Sequence, residues 1–172
     1  MDIEHMPNTA VPYASLLFPP RRLLILGCSK AKTAHEGLVP AIERYDGPAF
    51  RVLRRYLRER HDPALRILVL SAEYGIIAAD AQIPRYDRRM TLARARELQC
   101  RVSATLSRLL HESDMLPDDP QHVFVVLGKA YREAVSDYVG EGGHWLSDRC
   151  VSGPPGQRLA QLKTWLNAES PI

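Results

Sequence analysis

Three short runs of apolar residues limit the folds open to this chain: Leu23-Leu24-Ile25-Leu26, Ile67-Leu68-Val69-Leu70 and Val123-Phe124-Val125-Val126-Leu127. Each is too short for a buried helix, and none alternates with polar residues, so both faces of each must be covered. A strand covered on both faces belongs inside a parallel sheet flanked by helices. The intervening segments carry the helical period. Pro48 to His61 sets Phe50, Leu53, Tyr56 and Leu57 on one face, with Arg51, Arg54, Arg55 and Arg58 mostly on the other. Thr91 is placed to cap a long helix running to about Glu112, with Ala95, Leu98, Val102, Leu106 and Leu109 as its inner stripe. Further helices are expected over Lys129 to Val139 and Gln157 to Leu166, and a loop over Pro117 to Pro120. This alternation predicts an α/β fold, a three-layer sandwich around a mainly parallel central sheet, in one domain over residues 21–172. Residues 1–20 hold four prolines and no periodicity, and read as an N-terminal arm.

Composition narrows the functional classes. At 172 residues, 45% hydrophobic and 25% charged, the chain has the make-up of one soluble domain. No apolar run approaches the roughly 18 residues that span a bilayer. Asp2 and Glu4 stand where a secretory leader would be basic. Cys28, Cys100 and Cys150 are odd in number and scattered, which fits a reducing cytoplasm rather than a disulfide scaffold. His35, His61, His111 and His122 show no ligand spacing, and His144 stands alone beside Gly142, Gly143 and Trp145, so no metal and no cofactor is expected. The net charge of +3 is unevenly spread: between Arg44 and Arg108 there are 14 Lys+Arg against 7 Asp+Glu. Such a segment is either a phosphate-facing surface or simply an arginine-rich solvated one.

Ligands of open parallel sheets sit beyond the carboxyl ends of the strands. The residues following each apolar run are therefore the candidates for chemistry. After the first run come Cys28, Ser29, Lys30 and Lys32, a small-residue turn able to hold an anion without being a Walker loop. Cys28 is either a thiol acidified by the lysines or a small buried residue closing the strand. After the second run come Glu73, Tyr74 and Gly75. A carboxylate so close to a buried strand is expected to be partly desolvated, with the raised pKa a general acid or base needs. Gly75 is expected to allow a turn with positive φ. Further on, Tyr86 and Asp87 pair a ring that can stack on a base or sugar with a carboxylate that can accept a hydrogen bond from it. Tyr45-Asp46-Gly47-Pro48 has similar composition and also reads as a helix lead-in. After the third run, Arg132 is a candidate clamp for a second anion.

Taken together, Cys28-Ser29-Lys30-Ala31-Lys32, Tyr45-Asp46-Gly47-Pro48, Ser71-Ala72-Glu73-Tyr74-Gly75 and Pro84-Arg85-Tyr86-Asp87 resemble the YaaA-type peroxide-stress family. The later Gly128-Lys129-Ala130-Tyr131-Arg132 and Gly156-Gln157-Arg158-Leu159 are similar to its small bacterial relatives, so that the likeness covers roughly residues 22–166. The resemblance implies an α/β fold and an association with DNA and oxidative damage. Larger members bind DNA partly through an early helix-hairpin-helix element. Only about 15 residues separate Lys30 from Tyr45 here, too few to hold it. Local substitutes for DNA contact would be Arg51, Arg55 and Arg58 on the first long helix, with Arg85, Arg88 and Arg89 beyond the second run.

The expected activity is that of a cytoplasmic enzyme acting on a nucleotide, nucleoside or nucleic-acid base, at an N-glycosidic bond. In this scheme Lys30, with Ser29 and Lys32, holds phosphate or developing negative charge. Tyr45, Tyr74 and Tyr86 shape the ring site, and Glu73 or Asp87 acts as acid/base. The alternative is a non-enzymatic protein of the peroxide-stress response that binds DNA or RNA, without membrane contact.

Overall fold

The computed structural model describes residues 22–111, 122–138, 146 and 149–168. The expected N-terminal arm, the loop at Pro117 to Pro120 and His144 lie outside the described residues. The elements in chain order are β1 (Arg22–Gly27), β2 (Val39–Pro40), α1 (Ala41–Arg44), α2 (Pro48–Glu59), β3 (Leu65–Ser71), β4 (Gly75–Ala78), β5 (Gln82–Ile83), α3 (Leu92–His111), β6 (Val123–Val126), α4 (Lys129–Ala134) and α5 (Pro155–Asn167).

The three apolar runs are the three parallel strands. β1 pairs with β3 on one side (Leu24 opposite Ile67) and with β6 on the other (Leu24 opposite Phe124). β4 adds an antiparallel edge to β3, giving a mixed, mostly parallel sheet in the order β4-β3-β1-β6. The period of two sorts the strand residues between two cores. Leu23, Ile25, Leu68 and Leu70 pack with the α3 stripe and with Ala134 and Val135. Leu24, Leu26, Ile67 and Val69 pack with Phe50 and Leu53 of α2 and Leu162 and Leu166 of α5. Neither face of β1 reaches solvent, which is why its sequence shows no alternation. No helix among the described residues is long and apolar enough to cross a membrane.

The helix boundaries follow their local signals. Gly47 and Pro48 open α2 at the N-cap and first position. Thr91 caps α3, its Oγ1 accepting the Arg94 N–H at 3.1 Å. Gly75 takes φ +75°, as the tight β3–β4 turn demands. Three features depart from the sequence reading. The helix expected to reach Val139 ends at Ala134, where the chain turns to bury Tyr138. Arg54 is largely covered, donating to the Ile42 and Tyr45 carbonyls at 2.9 and 2.7 Å. β4 and the small β2–β5 pairing were not foreseen, being only four and two residues long.

β1 is an inner strand: the chain runs from it to β3 on one side and later crosses over, by way of α3, to β6 on its other side. The crevice at such a reversal, beyond the carboxyl end of β1, is where ligands of open α/β sheets bind.

Candidate functional site

At the exit of β1, the ring of Tyr131 on α4 lies against Gly27. A Cβ there would sit 3.2 Å from the ring, a tight contact that glycine avoids. The Tyr131 hydroxyl donates to the Cys28 carbonyl at 2.9 Å. Its only hydrogen is thereby spent, so the buried Cys28 thiol, 3.2 Å away, donates back to the phenol oxygen. Burial drives the Tyr131 pKa upward, keeping this phenol a donor. Ser29 turns inward: its hydroxyl donates to the Ala31 carbonyl at 2.6 Å and accepts the Gly47 N–H at 3.1 Å. A side chain at position 47 would meet Ser29 Cβ at 2.7 Å, which explains the second glycine. Lys32 Nζ lies 3.4 Å from the Ser29 carbonyl and 4.4 Å from the centre of the Tyr86 ring.

The loop after β1 is held by a residue whose role the sequence reading did not foresee. Arg44 is fully buried and donates to the carbonyls of Thr33, His35, Gly37 and Ile83 at 3.2, 2.6, 2.6 and 3.4 Å. Three of these acceptors lie in the loop after β1 and the fourth in β5, which only the folded chain brings together.

At the exit of β3, Ser71 is fully buried and organises three hydroxyls. Tyr45 donates to Ser71 Oγ at 3.2 Å, and the Tyr86 oxygen lies 2.9 Å from Ser71 and 2.6 Å from Tyr45. With one hydrogen each, the three close a ring in which Tyr45 donates to Ser71, Ser71 to Tyr86, and Tyr86 to Tyr45. Ser71 also accepts the N–H groups of Glu73 and Tyr74 at 3.1 and 3.2 Å, which fixes the turn. Burial raises the pKa of both phenols in the ring. Tyr74 packs edge-on against Tyr86, ring centres 5.4 Å apart. The tyrosines therefore form a fixed wall, and one face of Tyr86 is covered by the Lys32 ammonium.

Glu73 is partly covered, its side chain 33% exposed, and its Oε2 lies 3.2 Å from Arg88 Nε, a cationic neighbour. Its backbone is pinned by Arg94, which donates to the Ala72 and Glu73 carbonyls at 2.8 and 3.0 Å.

These pieces enclose a cleft of about 210 Å³. Cys28, Ser29, Lys30 and Lys32 line it from the β1 exit, Asp87, Arg88, Arg89 and Met90 from the opposite loop, and Tyr131 from α4. Glu73 joins it through Arg88 rather than by lining it. Four cations thus face one lining carboxylate, and Asp87 has no ion-pair partner among the described residues. A second cavity of about 440 Å³ shares the Cys28 and Tyr131 wall and opens between α2, β6 and α5.

The other candidates are placed elsewhere. Arg132 is spent on the Leu127 and Val151 carbonyls at 3.2 and 3.0 Å, holding the strand edge after β6. Arg51 pairs with Asp46 at 2.7 Å and Arg55 with Glu59 at 2.8 Å, while Arg58 and Arg85 are exposed. Arg51, Arg55 and Lys163 line a separate groove of about 490 Å³ between α2 and α5. Tyr131 and Arg158 were missed as site residues, although both lie in segments that follow a glycine turn onto a helix.

Residues 23–164 match the model of DUF6884, a family of unknown function. The chain belongs to that family. No curated protein and no solved structure matches it. The matched span runs from β1 into α5 and takes in every residue lining the 210 Å³ cleft.

Proposed function

We propose that this protein is an enzyme that acts on a phosphorylated nucleoside at its N-glycosidic bond, with the substrate's phosphate in the 210 Å³ cleft. The observation that carries the reading is the gathering of Lys30, Lys32, Arg88 and Arg89 around one unpaired carboxylate, Asp87, at the β1 exit. Such a surplus of cations suits a dianion, and a lone carboxylate beside it suits the sugar, whose carbon bears positive charge as the bond breaks. Lys30 is the principal phosphate donor. Asp87 faces the sugar and accepts the proton of the attacking water. Glu73 is a positioning residue that aims Arg88 into the cleft. The tyrosine wall of Tyr45, Tyr74 and Tyr86 holds Lys32 in place. The resemblance to the YaaA-type family, through Ser71 to Gly75 and Pro84 to Asp87, adds weight to a nucleotide or nucleic-acid substrate. We read the helices on the two sheet faces as the outer layers of a three-layer sandwich. The free thiols of Cys28, Cys100 and Cys150 are read as a sign of the cytoplasm.

Base release from a panel of nucleoside monophosphates tests this. Wild type is expected to release base, Asp87→Asn to lose about 10²–10⁴-fold in turnover, and Glu73→Gln to lose less. No release by wild type, or no loss in Asp87→Asn, overturns the assignment.

A second reading, sequence-independent nucleic-acid binding without turnover, rests on the groove lined by Arg51, Arg55 and Lys163. Asp46 and Glu59 already occupy two of those three cations, which leaves less free charge for phosphates.

A further inference from the structure

The 440 Å³ cavity is the natural seat for the remainder of such a substrate, and its chemistry says which bases it takes. Its size falls within the roughly 300–1,000 Å³ of small-molecule sites. Val126, Leu159 and Leu162 give it apolar walls, and Cys28 and Tyr131 form the partition it shares with the cationic cleft. A ligand with a flat ring on one side of that partition and a phosphate on the other would fill both. The polar groups of the partition are already committed to each other, since Tyr131 donates to the Cys28 carbonyl and the thiol donates to Tyr131. Arg158 is different. It lines the cavity, and its guanidinium makes no hydrogen bond or ion pair among the described residues, which leaves its outer N–H groups to a ligand that carries acceptors.

Arginine offers only donors, so the ring edge facing it must offer acceptors. Among purines, guanine and hypoxanthine present O6 and N7 together, a match for the planar guanidinium fork. Adenine presents N7 beside an amino donor, which meets Arg158 with hydrogen against hydrogen. Resting on the nucleotide reading above, we infer that the cavity beside Cys28 and Tyr131 binds a 6-oxopurine ring and that Arg158 selects it over adenine. The same contact supports departure of the base, because a guanidinium at O6 stabilises the negative charge left on the ring when the glycosidic electron pair moves onto it.

Calorimetric titration with GMP, IMP and AMP, on wild type, Arg158→Met and Arg158→Lys, tests the inference. GMP and IMP are expected to bind wild type about tenfold more tightly than AMP, the preference shrinking to within about twofold in Arg158→Met and partly returning in Arg158→Lys. The unfolding midpoint of ligand-free Arg158→Met is expected to equal or exceed that of wild type, because the fold gives this side chain's Nε no partner to lose. A lowered midpoint would assign Arg158 to the fold and overturn the inference. Equal affinity for all three nucleotides in wild type, or a preference surviving in Arg158→Met, overturns it while leaving the nucleotide reading standing. Failure of all three nucleotides to bind sinks both.

Discussion

The two ends of β1 both carry arginines and carboxylates, and they use them in opposite ways. At the start of the strand, Arg22 is buried and fully engaged. It pairs with Asp62 at 3.0 Å, donates to the Tyr56 hydroxyl at 3.3 Å and to the Leu166 carbonyl at 3.4 Å, and also reaches the Trp165 carbonyl. Its guanidinium lies 4.2 Å from the centre of the Trp165 ring. That cluster ties the end of α5 and the segment after α2 to the base of the sheet, and its polar groups are matched by the protein itself. At the far end of β1, Lys30, Asp87 and the Arg158 Nε are left without such partners among the described residues. Folding alone explains the Arg22 cluster, although Arg66, opposite Leu23 at that end, also carries a buried Nε without a hydrogen-bond partner. The second end makes sense as surface kept for something that is not part of the chain.

The largest effect should come from breaking the matched end. Asp62→Ala leaves Arg22, whose side chain is 3% exposed, without its counter-charge. Removing one partner of a buried pair is expected to cost about 3 kcal/mol, read as a drop in the urea midpoint at unchanged slope. The residual carbonyl acceptors keep the cost at the low end of the range for such pairs. A loss below about 1 kcal/mol would mean that the Arg22 cluster does not hold the base of the sheet.

The next effect lies between the two ends, at the clasp that opens α2. Asp46 accepts from Arg51 and Arg54, and these hydrogen bonds lower its carboxyl pKa to about 2. The unfolded value is about 3.9. The clasp therefore contributes fully above pH 4, and its contribution is lost as pH falls from about 4 through about 2. The protection of the first amides of α2, their exchange taken relative to the intrinsic rate at each pH, is expected to fall over that window in wild type. In Asp46→Asn that protection should already be low at neutral pH and unchanged across the same range. Because α2 presents Ala49 to the 440 Å³ cavity, acid should also weaken ligand binding there without unfolding the sheet.

How much of this contrast can be read without a structure depends on the range of the interaction. The three parallel strands were plain because each apolar run is a local statement about burial. The α3 stripe was plain for the same reason, and so were the Gly47-Pro48 start of α2 and the turn at Gly75. The rim of the site was plain in part. Cys28, Ser29, Lys30, Lys32 and Asp87 line one cleft because strand exits converge by topology, which the alternation of elements already implies. What those side chains do there was not legible. Ser29 spends its hydroxyl on Ala31 and Gly47, Arg132 spends its guanidinium on carbonyls, and Tyr86 joins Tyr45 and Ser71 in a closed ring. Each outcome involves at least one partner distant in sequence: Gly47 for Ser29, Val151 for Arg132, and Tyr45 and Ser71 for Tyr86. Arg44 is the extreme case, since nothing local marks an arginine that will be buried among three carbonyls of the loop after β1 and one of β5. β4 was invisible because a four-residue strand is defined by its pairing with β3 rather than by its own composition.

The smallest effects should come from the unmatched end, and their signs are informative. Lys30 and Asp87 are exposed, so substitution of either is expected to change stability by less than about 0.5 kcal/mol. The direction follows from the local surplus of cations. Lys30→Gln removes one of four positive groups crowded around the cleft and should stabilise slightly, an effect that fades as salt is added. Asp87→Asn removes the lone lining carboxylate and should destabilise slightly, with the same salt dependence in reverse. Both substitutions should nevertheless weaken binding of a nucleoside monophosphate or its turnover far more than they move the urea midpoint. That pairing, a near-silent change in folding with a large change in ligand chemistry, distinguishes a rim held open for a substrate from a merely solvated one. Should either variant lose more than about 1 kcal/mol, the cleft residues would be serving the fold, and the contrast between the two ends of β1 would disappear.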